Sequence, residues 1–190
     1  LGPNAEGRRG MRQGHMHAPR TVLPRFISAL FLAGLLQVAS GAALGDTILV
    51  KVVGVTDGDT VTVLDASKTQ HTIRLAGIDA PEKKMPFGQS AKEHLSDLVF
   101  SKDVKVETSK KDRYGRSVGN IFVDGRDANL AMVTAGMAWH YKQYEREQSA
   151  SDRQLYASAE EQARSLRAGL WRDDNPTPPW EYRKERRGGK

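Results

Sequence analysis

Two acidic segments carry the residue types most capable of chemistry: Asp57-Gly58-Asp59-Thr60 and Arg74-Leu75-Ala76-Gly77-Ile78-Asp79-Ala80-Pro81-Glu82. Between them lie Val61-Thr62-Val63-Leu64 and Thr72-Ile73-Arg74-Leu75, runs of β-branched residues that read as strands. If these strands pair, the Asp-Gly turn brings Asp59 close to Asp79, and Glu82 follows after only Ala80 and Pro81. Three carboxylates and one arginine then share a small space. Like charges so placed repel unless a cation sits among them. All-oxygen donors suit a hard ion, Ca²⁺ or Mg²⁺, better than zinc. Each segment alone has a plainer explanation. Asp-Gly between β runs signals a hairpin, and Ile-Asp-Ala-Pro-Glu can end a strand with solvated acids. Arg74 alternates with Ile73 and Leu75, and a structural ion pair with Asp57 or Asp79 would equally account for it.

A third segment, Asp112-Arg113-Tyr114-Gly115-Arg116, separates these alternatives. The three segments, in this order, resemble the thermonuclease (staphylococcal nuclease-like) family over roughly Thr47 to Trp171. The resemblance implies an α+β fold: a five-stranded OB-fold-like β-barrel with about three flanking α-helices. It also implies Ca²⁺-dependent hydrolysis of DNA and RNA with little sequence preference, breaking the 5′ P–O bond to leave 3′-phosphates. Asp59 and Asp79 align with the carboxylates that hold Ca²⁺, and Ala80 with a backbone-carbonyl ligand. The family's best-known member has threonine at that position, a change that spares the carbonyl. Glu82 aligns with the general base or water-orienting group, and Arg74 and Arg116 with the two arginines that clamp the phosphate. A guanidinium fork can donate two hydrogen bonds to phosphate oxygens, which lysine cannot copy.

Further implied contacts are Arg113 and Tyr114 to a neighbouring phosphate or base, and Tyr141 beside the nucleotide pocket. Stacking on aromatic rings beside a cation is a common way to hold single strands, so single-stranded or frayed ends are the favoured substrate, and a monomer is expected. The Lys83–Gly88 loop is shorter than in the best-known member, which bears on substrate length and strand preference. Two other functions fit the same fold class. One is a catalytically silent OB-fold nucleic-acid-binding module; retention of all five central residues argues against it. The other is a phosphodiesterase acting on a non-nucleic-acid substrate.

A chain of 190 residues suffices for one domain with extensions. The formal net charge is +6, but residues 1–45 hold five arginines against Glu6 alone, leaving 24 basic and 22 acidic residues for the remainder. Global charge therefore says little about an anionic substrate; local placement must carry that inference. The absence of cysteine excludes disulfides and thiolate metal sites. His71, His94 and His140 lack metal-ligand spacing and read as surface or packing residues. Lys83, Lys84, Lys110 and Lys111 flank the acidic segments and serve either as solvated faces or as electrostatic steering.

The elements that must position these residues follow from periodicity. Strands are expected at Ile48–Val55, near 60–65, over 70–78, at Val104–Val106 and at Val118–Val123. A helix is expected over Gly88–Phe100, with Ala91, Leu95, Leu98 and Val99 on one face. Asn129 is a suitable N-cap for a short helix ending at Gly136. A longer helix from near Ser151 to Arg167 would point Leu155, Ala159, Ala163 and Leu166 inward and end on Gly169 as an αL cap.

Both ends of the chain differ from this middle. Residues 1–44 form an N-terminal extension in which Met11 and Met16 are alternative starts. The uncharged run from Phe26 to Leu44, with a basic flank before it and Ala, Gly and Ser at its end, has the three parts of a secretory signal peptide. An uncleaved anchor is the alternative. Export, to the periplasm or beyond, is expected, with no stable membrane association once the peptide is cleaved. Residues 46–171 then form the nuclease-like domain and 172–190 a Pro-rich, basic tail. That tail is either solvated or docked through Trp180 and Tyr182 with its basic end near nucleic acid.

Overall fold

The computed structural model describes residues 46–189. The N-terminal extension, with its apolar run and the signal peptide expected there, lies outside the described residues.

Strand β1 (Thr47–Asp57) is long enough to serve two neighbours. Its first half pairs antiparallel with β5 (Asp103–Lys111) and its second half with β2 (Thr60–Leu64). Register shifts at Val52/Gly54 and Val55/Asp57 bend it between the two, as bulges do where sheets curl. β2 continues into β3 (Gln70–Leu75), and β5 into β6 (Ser117–Val123). β3 then pairs parallel with β6 over Ile73–Leu75 and Ser117–Gly119. That last pairing closes a five-stranded barrel, as expected from the sequence, and leaves the two-residue β7 (Arg126–Asp127) appended to β6. The inward positions are small and branched: Val50, Val52, Val61, Val63, Ile73, Leu75, Val104, Val106 and Ile121.

Helix α1 (Gly88–Val99) buries Ala91, Leu95 and Val99 against the barrel. Helix α2 (Ala128–Thr134) adds Met132 and Val133, and α3 (Ala150–Ser165) adds Tyr156 and Ala159. A second, smaller cluster joins Trp139, Ala163, Leu170 and Trp171, with Phe87, Ala168 and Trp180 packed on it.

Several local expectations change. The run 70–78 is not one strand: it breaks at Ala76-Gly77, and Ile78–Asp79 becomes β4, paired with β8 (Trp139–His140). Asn129 is not an N-cap. Asp127 caps α2 by accepting from the amides of Asn129 and Leu130. Its other oxygen accepts from the hydroxyl of Tyr156 at 2.7 Å, so one carboxylate ties α2 to α3. Asn129 instead lies fully buried, accepting from the Ile121 amide and donating to the carbonyls of Ala76 and Gly119. In α3 the buried face is Tyr156, Ala159, Glu160 and Ala163, while Leu155 and Leu166 are exposed. Ala159 and Ala163 are buried as expected, but the buried face turns toward Tyr156 and Glu160, and Glu160 makes polar contacts that apolar periodicity could not show. Its αL cap is Arg167 rather than Gly169; the Ala168 amide reaches back to the Ala163 carbonyl. Finally, the tail is helical from Pro179: α4 (Pro179–Gly188) starts with proline in its first turn, where a missing N–H costs nothing.

Asn129→Ala would strand the Ile121 amide and the Ala76 carbonyl in the interior. The expected loss is about 2–4 kcal/mol of unfolding free energy, read from urea midpoints, whereas Thr134→Ala on the exposed side of the same helix should change stability by roughly 0.5 kcal/mol or less.

Candidate functional site

Three turns meet at one end of the barrel, and the chemistry-bearing residues sit on them. The first, between β1 and β2, is Gly58-Asp59. Gly58 is required by close approach, since a Cβ there would stand 2.7 Å from those of Ala80 and Ala91. Asp59 is thereby pressed inward and buried; its Oδ1 accepts from the Thr60 hydroxyl and its Oδ2 from the Ala80 amide at 2.9 Å.

The second turn carries β3 into β4. Arg74 lies opposite Thr60 on one side and Val118 on the other, so both barrel neighbours fix its position. One guanidinium nitrogen reaches Asp59 Oδ2 at 3.1 Å and Asp79 Oδ1 at 2.9 Å; the other donates to the Leu75 carbonyl. Asp79 is fully buried on β4, whose partner β8 sets Trp139 opposite it. Glu82 follows on a turn in which the Met85 amide donates to its carbonyl. Gly88 permits that turn: a Cβ would stand 2.0 Å from the Glu82 carbonyl oxygen.

The third turn joins β5 to β6. Asp112 accepts from the amides of Tyr114 and Arg116 and, through its other oxygen, from Arg116 Nε at 2.7 Å. Burial works against its charge, but these bonds from Arg116 outweigh it and hold the carboxyl below its ordinary range. Arg116 also reaches the Thr60 hydroxyl at 3.5 Å, one bond from Asp59. Arg113 and the exposed Tyr114 stack on each other, with the Arg113 guanidinium 4.9 Å from the ring centre.

Tyr141 completes the wall. It follows β8, and its amide donates to the Gly77 carbonyl. Behind it, the His140 amide donates to buried Glu160 of α3, which also accepts from Lys142. His140 itself is buried and bonded to Gln148, so it packs rather than faces the cleft. Asp59, Arg74, Asp79, Ala80, Glu82, Arg113, Tyr114, Arg116 and Tyr141 all line one open cleft of about 940 Å³. Lys110 and Lys111 line it too, Lys110 paired with Glu147, while Lys83 and Lys84 are exposed beside it.

α4 also enters the cleft, through Trp180, the docking residue expected of the tail, and through Arg183, Lys184 and Arg187, which no motif indicated. Arg183 donates to Asp79 Oδ2 at 2.6 Å, to Asp79 Oδ1 at 3.3 Å and to Glu82 at 2.8 Å. Trp180 stacks on Tyr141, ring centres 5.4 Å apart and planes within 12°. The signal for them was Pro179 as a helix start, followed by Trp180, Arg183 and Arg187 at one-face spacing.

The electrostatics follow from crowding. Burial, with the Asp59 charge adding to it, pushes Asp57 up to about 6. Burial likewise pushes Asp79 up to about 6, although the hydrogen bonds and charges of Arg183 and Arg74 pull the other way. The arrangement is a desolvated anionic pocket held together by guanidinium groups. Among the described residues no three His, Cys, Asp or Glu side chains gather closely enough to hold a metal ion by themselves.

The family described as staphylococcal nuclease homologue matches residues 72–173, more than half of the chain. The chain belongs to the staphylococcal nuclease family. It is 43% identical over 135 residues to a Haemophilus influenzae protein named uncharacterized endonuclease, covering 71% of this chain and 72% of that one. It is 39% identical over 143 residues to a protein of Shigella flexneri named micrococcal nuclease, covering 70% and 79%. With staphylococcal-like nuclease CAN1 of Arabidopsis thaliana the identity is 45% over 117 residues, 62% of this chain but 34% of that protein. The chain thus spans about a third of such plant relatives and most of the bacterial ones. The matched residues 72–173 include Arg74, Asp79, Glu82, Arg113, Tyr114, Arg116 and Tyr141; Asp59 and α4 lie outside them.

Arg74→Met in metal-free buffer removes the cation shared by Asp59 and Asp79 and should cost about 3 kcal/mol at pH 7. The folded-state value of Asp79, about 6, exceeds the ordinary 3.8, so its ionisation destabilises the fold above that range, and the penalty fades as pH falls through it. The stability deficit of the variant should therefore shrink between pH 7 and pH 5. Urea midpoints at the two pH values measure this; a constant deficit would rule out the crowding described here.

Proposed function

We propose that the chain is an exported, calcium-dependent nuclease that hydrolyses DNA and RNA with little sequence preference and leaves 3′-phosphate products. One observation carries this reading: Arg74, Arg116 and Glu82 converge in a single cleft on the buried pair Asp59 and Asp79. A phosphodiester resists attack because its negative charge repels nucleophiles and its alkoxide leaves poorly, so a site must supply positive charge, a placed water and a base.

The donor set fits a hard divalent cation. Asp59 and Asp79 offer carboxylate oxygens and Ala80 adds a backbone carbonyl, and among the described residues no His or Cys lines the cleft. Asp59 and Asp79 are buried side by side, an arrangement that positive charge beside them stabilises. A bound Ca²⁺ would supply charge to a phosphate oxygen and polarise a nearby water. The chain's own groups do the rest. Arg74 and Arg116 donate to the non-bridging phosphate oxygens, most strongly as charge builds in the transition state. Glu82, the least buried carboxylate of the three, accepts the proton of the attacking water at a carboxylate oxygen.

The rest of the cleft grips backbone and rings rather than base edges. Arg113 with Tyr114, and the Tyr141 ring, offer stacking faces that accept any base. Single-stranded or frayed DNA and RNA suit such a wall, because their bases are free to stack. Export is supported by the uncharged run from Phe26 to Leu44 behind five arginines.

Activity on single-stranded DNA and RNA should require Ca²⁺, vanish with chelator and return weakly with Mg²⁺, which keeps its waters in stricter geometry. Glu82→Gln should lower turnover by roughly 10²–10⁴ with inhibitor affinity nearly intact. Arg116→Lys should lose nearly as much turnover as Arg116→Ala, since it keeps the charge but not the fork. Full activity in chelator, or a fully active Arg116→Lys, would overturn this mechanism.

N-terminal sequencing of protein recovered outside the cytoplasm should begin between Ser40 and Asp46. Intact chain extracted only with membranes would replace export with anchoring.

A further inference from the structure

The contacts of α4 fall on groups that the mechanism uses, yet no step of it calls on α4. Arg183 spends its fork on the oxygens of Asp79 and Glu82, the groups assigned above to metal and water. Trp180 covers a face of the Tyr141 ring in near-parallel stacking and meets Trp139 edge-on with ring centres 6.2 Å apart. A cation and an aromatic plane, three residues apart on one helix, thus sit where the reading above places a divalent cation and a base.

We propose that α4 is a built-in occupant of the cleft, which divalent cation and single-stranded nucleic acid must displace. The proposal rests on the calcium-nuclease reading of the same site. Three charge-assisted hydrogen bonds to two carboxylates make Arg183 a strong occupant, because a bidentate guanidinium-carboxylate pair is among the stronger polar contacts. A Ca²⁺ ion carries twice the charge, and Asp59, which Arg183 does not touch, adds to its ligands.

Little else holds the helix down. Apart from Pro179 and Trp180, only Tyr182 and Arg183 of α4 are shielded from solvent, and Lys184 to Gly189 are exposed. Ten residues make a helix that is marginal on its own. The strand of chain from Arg172 to Pro178 that tethers it is mostly exposed. Release therefore sacrifices few contacts beyond those that Ca²⁺ and a base would replace. The apparent affinity for each ligand is lowered by the fraction of molecules in which α4 is docked.

Calorimetric titration of Ca²⁺ into the full chain and into its Arg183→Gln and Trp180→Phe variants tests this, with tryptophan emission recorded in parallel. Arg183→Gln should bind Ca²⁺ at least about tenfold more tightly than the unaltered chain. Ca²⁺ should shift the emission of the unaltered chain as Trp180 leaves Tyr141, and the shift should vanish in Trp180→Phe. Thermal melting of both variants confirms that they are folded, as expected for residues outside the barrel core. Equal Ca²⁺ affinity in Arg183→Gln and the unaltered chain, with no emission shift, leaves the calcium reading standing and overturns the occupant alone. Weaker Ca²⁺ binding in Arg183→Gln would make Arg183 a supporting member of the site and equally overturn it. Absence of Ca²⁺ binding in all three chains would overturn the calcium reading itself, and the competition with it.

Discussion

Two carboxylates buried a few ångströms from each other are the constraint on which the rest of this molecule depends. Asp59 and Asp79 share the Arg74 guanidinium, and carboxylates buried together need such a cationic partner beside them. The barrel is what makes that juxtaposition unavoidable. β2 delivers Asp59 and Thr60, β3 delivers Arg74, and the close approach of Gly58 to Ala80 and Ala91 locks the acidic turn under the second. Closure of β3 on β6 then brings Arg116 within reach of Thr60. Around this centre, positive charge arrives from three parts of the chain: strand β3, the β5–β6 turn and the C-terminal helix.

Much of this was legible in the chain itself. The strands and α1 follow from period-two and period-3.6 patterns, and the three ordered motifs contain Asp59, Arg74, Asp79, Glu82 and Arg116 of the cleft. What sequence could not show arises from long-range or polar contacts. β4 and β8 are two residues each, too short to have a period. Asn129 has the residue type of a cap, yet its amide satisfies backbone groups of two distant segments. The phase of α3 depends on Glu160, a buried acid that apolar counting places on the wrong side. For α4, the proline content of the tail hid the helix, although Pro179 stands where helices begin.

The β4–β8 ribbon has a role larger than its size. Asp79 and Trp139 are paired across it, and Tyr141 continues from it with its amide on the Gly77 carbonyl. The anionic end and the aromatic end of the cleft are therefore one rigid piece. Glu160 fastens that piece to α3 by accepting from the His140 amide. The same carboxylate accepts from Lys142 and lies 3.6 Å from Arg164, so its burial is compensated.

The parallel closure of β3 on β6 has a consequence in time as well as space. It joins residues 73–75 to 117–119, a pairing that the chain cannot make until the intervening helix and β5 exist. Contacts so far apart in sequence form late, because the loop between them must be ordered first. A chain emerging from its N-terminal end carries Asp59, Arg74, Asp79 and Glu82 well before Arg116 and Tyr141. The half-made polypeptide holds the acids but has neither the second arginine nor the aromatic wall. The cleft is complete only once the polypeptide is nearly whole, so the order of synthesis is itself a delay on its appearance.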